Sequence, residues 1–173
     1  MKKVLGRLRG VWNIPPLLNT RRNHAIEHAT IHLLSSRLPG VRMAGRSTPF
    51  GFYVYGDVPT EMLEQATREA IALLQRGESH LAIHPHCGTN LVTASTLAGV
   101  ATVLSVAGRR RRWWDKVMAA LAAATVALAA AQPLGYWVQE HVTTDPAVPS
   151  AQIVHIRRTR VGNMPVHFVR IAH

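Results

Sequence analysis

The sequence predicts an α+β protein: a small metal-binding α/β domain, a two-helix transmembrane hairpin, and a C-terminal β-hairpin that completes the sheet. Three observations lead there. Mean hydropathy is slightly positive at +0.05 although 17% of the 173 residues are charged, so the apolar residues must be concentrated in segments. Two stretches, 91–107 and 117–138, carry no charge at all. Short strand-like runs lie on both sides of these stretches, at 41–56 and in the tail after 151.

Composition bounds the function as well. Lys and Arg number 20 against nine Asp and Glu, a formal charge of +11. Such a balance favours an anionic partner, either phospholipid headgroups or nucleic acid. A hydrophobic fraction of 47% excludes disorder, and a single cysteine excludes an intramolecular disulfide. Histidines number ten and so outnumber the acids.

Residues 1–19 hold Lys2, Lys3, Arg7 and Arg9, but charges and then Pro15-Pro16 break the apolar run. A basic arm on the membrane surface fits this stretch better than an export signal. Residues 20–37 read as a helix capped by Asn19, Thr20 or Asn23 and stopped by Pro39-Gly40. One stripe of it carries Ile26, Thr30, Leu33 and Arg37, another His24, Glu27, His28, Ile31 and His32.

Two strand-like runs follow, VRMAGR and FGFYVYG, split by a Ser-Thr-Pro turn. Asp57 or Thr60 then caps a helix over 60–76, with Leu63, Ala66, Ala70, Leu73 and Leu74 at helical spacing and Gly77 closing it. A loop holding three histidines and Cys87 ends at Asn90. The metal-binding domain is thus placed at 20–90.

The hairpin occupies 91–138 around a turn of Arg109 to Arg112. Trp114 and Tyr136 bracket its second helix, a span of about 33 Å at ~1.5 Å per residue, close to the thickness of a bilayer core. A buried hairpin of Ala-rich helices is the soluble alternative. In the tail, 139–173, apolar and polar residues alternate on either side of Gly162-Asn163, as in a β-hairpin. Because a helical hairpin returns the chain to the side it left, the tail and the N-terminal strands can share one four-stranded sheet.

Chemistry concentrates in two motifs. His24-Ala25-Ile26-Glu27-His28 is an H-x-x-E-H pattern. On a helix its two histidines stack and can share a metal ion, while Glu27 at the edge of that face can take a proton from water. The loop His84-Pro85-His86-Cys87-Gly88-Thr89 gathers imidazole and thiol ligands, and His84 and Cys87 are close enough in sequence to reach one metal. His32, four residues past His28, can be a ligand or a partner that orients one. Glu78 and His80 are alternatives for a third ligand, whereas Asp57 reads as a helix cap. His141, His155, His167 and His173 read as surface or strand residues.

The motif pair resembles that of the YqhQ-like group, small prokaryotic membrane proteins described as metal-dependent enzymes with no settled reaction. The likeness covers about residues 20–107, and this chain looks closest to a short, two-helix branch. It implies a metal site of His24, His28, His84 and Cys87 with Glu27 beside it. No role carries onto His86, and the downstream glutamate of the inverzincin peptidases has no counterpart. Zinc is the default for histidine with thiolate, with another divalent metal as the alternative.

These residues lead to a membrane-anchored metal-dependent hydrolase with Glu27 as general base, acting on a protein or lipid substrate at the membrane surface. A metal-stabilised adaptor without catalysis is the alternative, and a nucleic-acid or ribosome-associated membrane protein the third. Between two apolar helices the arginine run reads as an anchor to anionic headgroups rather than a nucleic-acid contact. Arg157, Arg158 and Arg160 read as a solvated strand face. The expected location is the prokaryotic cell membrane, with the metal domain in the cytoplasm, because eleven basic residues precede residue 90 without an export signal.

Overall fold

The computed structural model describes residues 14–107 and 112–173. Most of the basic arm, and Arg109 to Arg111 of the arginine run, lie outside the described residues. The chain forms two units, one comprising residues up to His84 together with Thr143–His173, the other Pro85–Val142.

In the first unit, helix α1 spans Pro15–Arg37 and starts earlier than the sequence led one to expect. Pro15 and Pro16 open the helix instead of interrupting it, because the first turn has no intrahelical use for an N–H and the fixed φ of proline already suits it. Ile14 is the N-cap and makes no side-chain bond, while Asn19, Thr20 and Asn23 lie within the helix. The middle of α1 is buried on several sides. Asn23 and every residue from Ala25 to Ile31 are enclosed, so Glu27, His28 and Ile31 of the second stripe face the interior. His32 is the exception and is exposed.

Strands β1 (Ala44–Thr48) and β2 (Gly51–Tyr55) form an antiparallel pair. Ser47 and Thr48 belong to β1, and the turn is made by Pro49 and Phe50. Gly51 has φ +147°, and a Cβ there would strike the Val169 carbonyl oxygen.

Helix α2 (Thr60–Gln75) buries Leu63, Ala66, Ala70, Ile71 and Leu74, close to the expected stripe. It is closed by Gly77 at φ +95°. Its N-cap is Pro59, and neither Asp57 nor Thr60 caps it. Asp57 instead accepts from Arg158 at 3.3 Å, and Thr60 is engaged with His167.

A 3₁₀ turn, Ser79–Ala82, follows. The tail forms β3 (Gln152–Val161) and β4 (Met164–Ala172), joined through Gly162 at φ +59°. The four strands make one sheet in the order β1-β2-β4-β3, antiparallel throughout. Phe52, Val54, Val169 and Ile171 present its inner face to Ile26 and Leu34 of α1 and to Leu63, Ala66 and Ala70 of α2. Enclosing each large apolar side chain there contributes about 1.5–3 kcal/mol.

The second unit contains helices α3 (Gly88–Val106) and α4 (Trp113–Val138), with a π-helical turn continuing from Gln139. Both are long and apolar enough to cross a membrane. Few of their side chains are enclosed: none in α3, and only Ala127, Ala131 and Gly135 in α4. Exposed instead are Leu91, Val103, Leu104, Met118, Leu121 and Val126. The helix hydroxyls are satisfied locally: Thr93, Ser95, Ser105 and Thr125 each donate to a carbonyl three or four residues back, at 2.8–2.9 Å. At one end of the pair, Gln139 donates to the Asn90 side-chain oxygen at 2.6 Å, and Asn90 donates to the Pro85 carbonyl at 2.8 Å.

Candidate metal centre

Helical spacing brings His24 and His28 together on α1. Their ring centroids are 4.2 Å apart in an edge-on arrangement, and their ligand nitrogens lie within 4.8 Å of each other. His28 is buried, with 3% of its surface exposed; His24 is half-buried. His84, which follows the 3₁₀ turn, places its ring 5.8 Å from that of His28.

Two backbone carbonyls orient the pair. His28 Nδ1 lies 2.6 Å from the Ala82 carbonyl oxygen, and His24 Nδ1 lies 2.9 Å from that of Thr143. A carbonyl oxygen only accepts, so each Nδ1 carries the proton and donates it. In a neutral ring the lone pair is then on Nε2. Metal-bound imidazoles are oriented in this way, through a hydrogen bond on the opposite nitrogen. The segment that supplies the second carbonyl is held to α1 by further contacts. Arg21 donates to the Thr144 carbonyl at 2.9 Å, and the Asp145 N–H donates to the Arg21 carbonyl at 3.1 Å.

Glu27 is directed at the sheet. Its carboxylate accepts from the Ser47 hydroxyl on β1, and a Cβ on Gly45 would overlap it. Only 4% of Glu27 is exposed. Burial raises its pKa above the ordinary carboxylate value, against the opposing effects of the Ser47 hydrogen bond and the charge of His24.

Cys87 lies three residues beyond His84 and is the N-cap of α3, its sulfur accepting the Thr89 N–H at 3.4 Å. His32 is exposed, and the Nδ1 atoms of His24 and His28 face the Thr143 and Ala82 carbonyls. Glu78 and His80 sit 3.4 Å apart as an exposed pair on the 3₁₀ turn.

Sequence reasoning passed over several residues here. The orienting carbonyls belong to residues of no chemical distinction and leave no signal. Gly45 and Ser47 share one face of a strand, and that spacing was the only available hint of a carboxylate packed against it. Asn23 is wholly buried; it donates to the Thr48 carbonyl at 2.8 Å and its oxygen lies 2.9 Å from His173 Nε2. His167, read as a surface or strand residue, is fully enclosed, with its Nε2 3.0 Å from the Thr60 hydroxyl.

Comparison with known proteins gives three findings. The chain is 33% identical to an uncharacterized protein of Picosynechococcus sp. (strain ATCC 27264 / PCC 7002 / PR-6) over 98% of this chain and 87% of that one. No solved structure matches it. Residues 19–156 match a family described as "Domain of unknown function (DUF6391)", and neither the YqhQ-like group nor its motifs is confirmed by these matches. The match spans α1, the sheet's first hairpin, α2, both apolar helices and the start of β3, and on that extent the chain belongs to the DUF6391 family.

Proposed function

We propose that the protein is a membrane-anchored metal-dependent hydrolase whose metal is held by His24, His28 and His84, with Cys87 as a further ligand. The single observation behind this reading is the close approach of the His24 and His28 rings, each with its Nδ1 tied to a backbone carbonyl. The donor set fits zinc: imidazole nitrogens oriented by backbone hydrogen bonds, with a thiol three residues from the third of them. When bound, such a metal supplies Lewis-acid activation of water.

The chain's own residues do the rest. His24 and His28 keep their lone pairs directed by their backbone hydrogen bonds. Glu27, with its pKa raised by burial, holds or releases a proton beside them, and Ser47 fixes one of its oxygens. Two helices of spanning length and composition support a membrane anchor. The excess of basic residues before residue 90 supports a cytoplasmic metal domain.

A second reading, a metal-stabilised adaptor without catalysis, is favoured by the contact of Glu27 with Ser47 and Gly45, which suits a structural tether. Elemental analysis of the detergent-purified chain tests both. About one equivalent of metal per chain, lost in His28→Ala and kept in Glu27→Gln, is the expected result. A chain without metal after incubation with zinc overturns both readings. Hydrolysis of membrane-presented peptide or lipid esters by wild type but not by Glu27→Gln selects the hydrolase, and function unimpaired in Glu27→Gln selects the adaptor.

A further inference from the structure

The outer face of the sheet carries a second feature, independent of the metal centre. Strand alternation and register place Tyr53 of β2 beside Phe168 of β4 on the face opposite the core residues Phe52, Val54 and Val169. These are the two central strands. The rings of Tyr53 and Phe168 have centroids 4.7 Å apart, and Tyr55 continues the row 6.3 Å from Tyr53. All three are half-buried, so they lie among their neighbours and do not protrude.

Basic residues flank them on the same face. Arg46 of edge strand β1 is the register partner of Tyr53, and Arg157 of the other edge strand, β3, is that of Phe168. Arg170 lies two residues beyond Phe168 on β4. All three arginines are exposed, and none forms an ion pair among the described residues. No strand of the sheet contains an Asp or a Glu.

We infer that this face binds single-stranded nucleic acid, its rings stacking on bases and its arginines pairing with the flanking phosphates. Aromatic rings on the central strands of an open four-stranded sheet offer π-faces of the kind on which unpaired bases stack. The unpaired guanidinium groups on both edge strands supply the charge complementarity. An anionic membrane surface matches the charge equally, but docking to lipid through rings needs apolar groups that project beyond the charged layer, and these rings are half-buried between strands.

The test uses the full chain in phosphatidylcholine nanodiscs and a short fluorescein-labelled oligouridylate, read by fluorescence anisotropy over a range of salt. Tyr53→Leu/Phe168→Leu keeps apolar bulk and removes the stacking faces; affinity is expected to fall about tenfold or more. Tyr53→Phe is expected to retain binding. Arg46→Gln/Arg157→Gln/Arg170→Gln changes only exposed side chains and is expected to reduce the slope of log K against log salt by about 2. Circular dichroism melts confirm that each variant is folded.

Equal affinity of wild type and the leucine variant overturns the inference, because charge elsewhere on the chain then accounts for the binding. An unchanged salt slope in the arginine variant overturns it independently, even if the leucine variant fails to fold. Absence of oligouridylate binding together with arginine-dependent association with phosphatidylglycerol vesicles overturns it in favour of a lipid-docking face.

Discussion

Gly45 lies where a side chain would overlap the carboxylate of Glu27, so the bare backbone of β1 is what admits an acid into the packing between helix and sheet. Gly45→Ala is expected to displace Glu27 from Ser47 and leave a buried carboxylate short of a partner, at a cost of about 1–3 kcal/mol. A double-mutant cycle checks this. Gly45→Ala added to Glu27→Ala should cost little beyond Glu27→Ala alone, as measured by chemical denaturation.

His32 is exposed although it stands four residues from His28. His32→Ala is therefore expected to retain the metal that His28→Ala loses and to change stability by no more than about 0.5 kcal/mol. Elemental analysis and thermal melts of the two variants, side by side, provide the comparison.

His167 sets a pH dependence whose sign follows from its burial. Desolvation lowers its pKa, assisted by the charge of Arg158 and opposed by Asp57 and Glu61. The unfolded chain then takes up the proton more readily than the folded one. Stability is full above the unfolded pKa of about 6.5 and is lost as pH falls through the lower folded value. His173 is lowered as well, by burial and then by Arg22, and acts in the same direction. Melting midpoints should decline on acidification below about pH 6.5, and less steeply in His167→Gln.

Gln139 and Asn90 join the two apolar helices at one end, and Gly135 makes room for them, since a Cβ there would come within 2.5 Å of the Asn90 oxygen. Gln139→Ala is expected to destabilise the helix pair by about 1 kcal/mol, within the range of interhelical hydrogen bonds in apolar surroundings. Gly135→Val should do more harm by forcing the helices apart. Unfolding titrations in mixed detergent micelles, followed by tryptophan fluorescence, report both.

Much of the fold was legible because its signals are periodic. The stripe of α2, the charge-free runs of α3 and α4, and the alternation around Gly162 each declare an element through spacing alone. Helix α1 was harder. Its centre is buried on several sides, so no clean polar face marks it, and Pro15-Pro16 reads as a break until one notes that a first turn tolerates proline. The proximity of His24 and His28 was legible because four residues is nearly a helical turn. The groups that orient them were not, since a backbone carbonyl has no residue type. His167 is a strand residue as expected, but its burial was not legible, because a strand histidine looks the same in sequence whichever face it takes.

The strand order has a consequence for how the chain is made. Phe52 on β2 pairs in register with Val169 on β4, more than a hundred residues further along, and both apolar helices are synthesised in between. Until β4 emerges, β2 has a bare edge, and its apolar residues Phe52 and Val54 lack part of their eventual cover. Closing a sheet across so long a separation is slow, and an unpaired strand edge is a template for wrong partners. The domain that brackets the helices therefore closes only after both of them have been made. A defect confined to the tail would first appear as aggregation of a chain in which the edge of β2 is still bare.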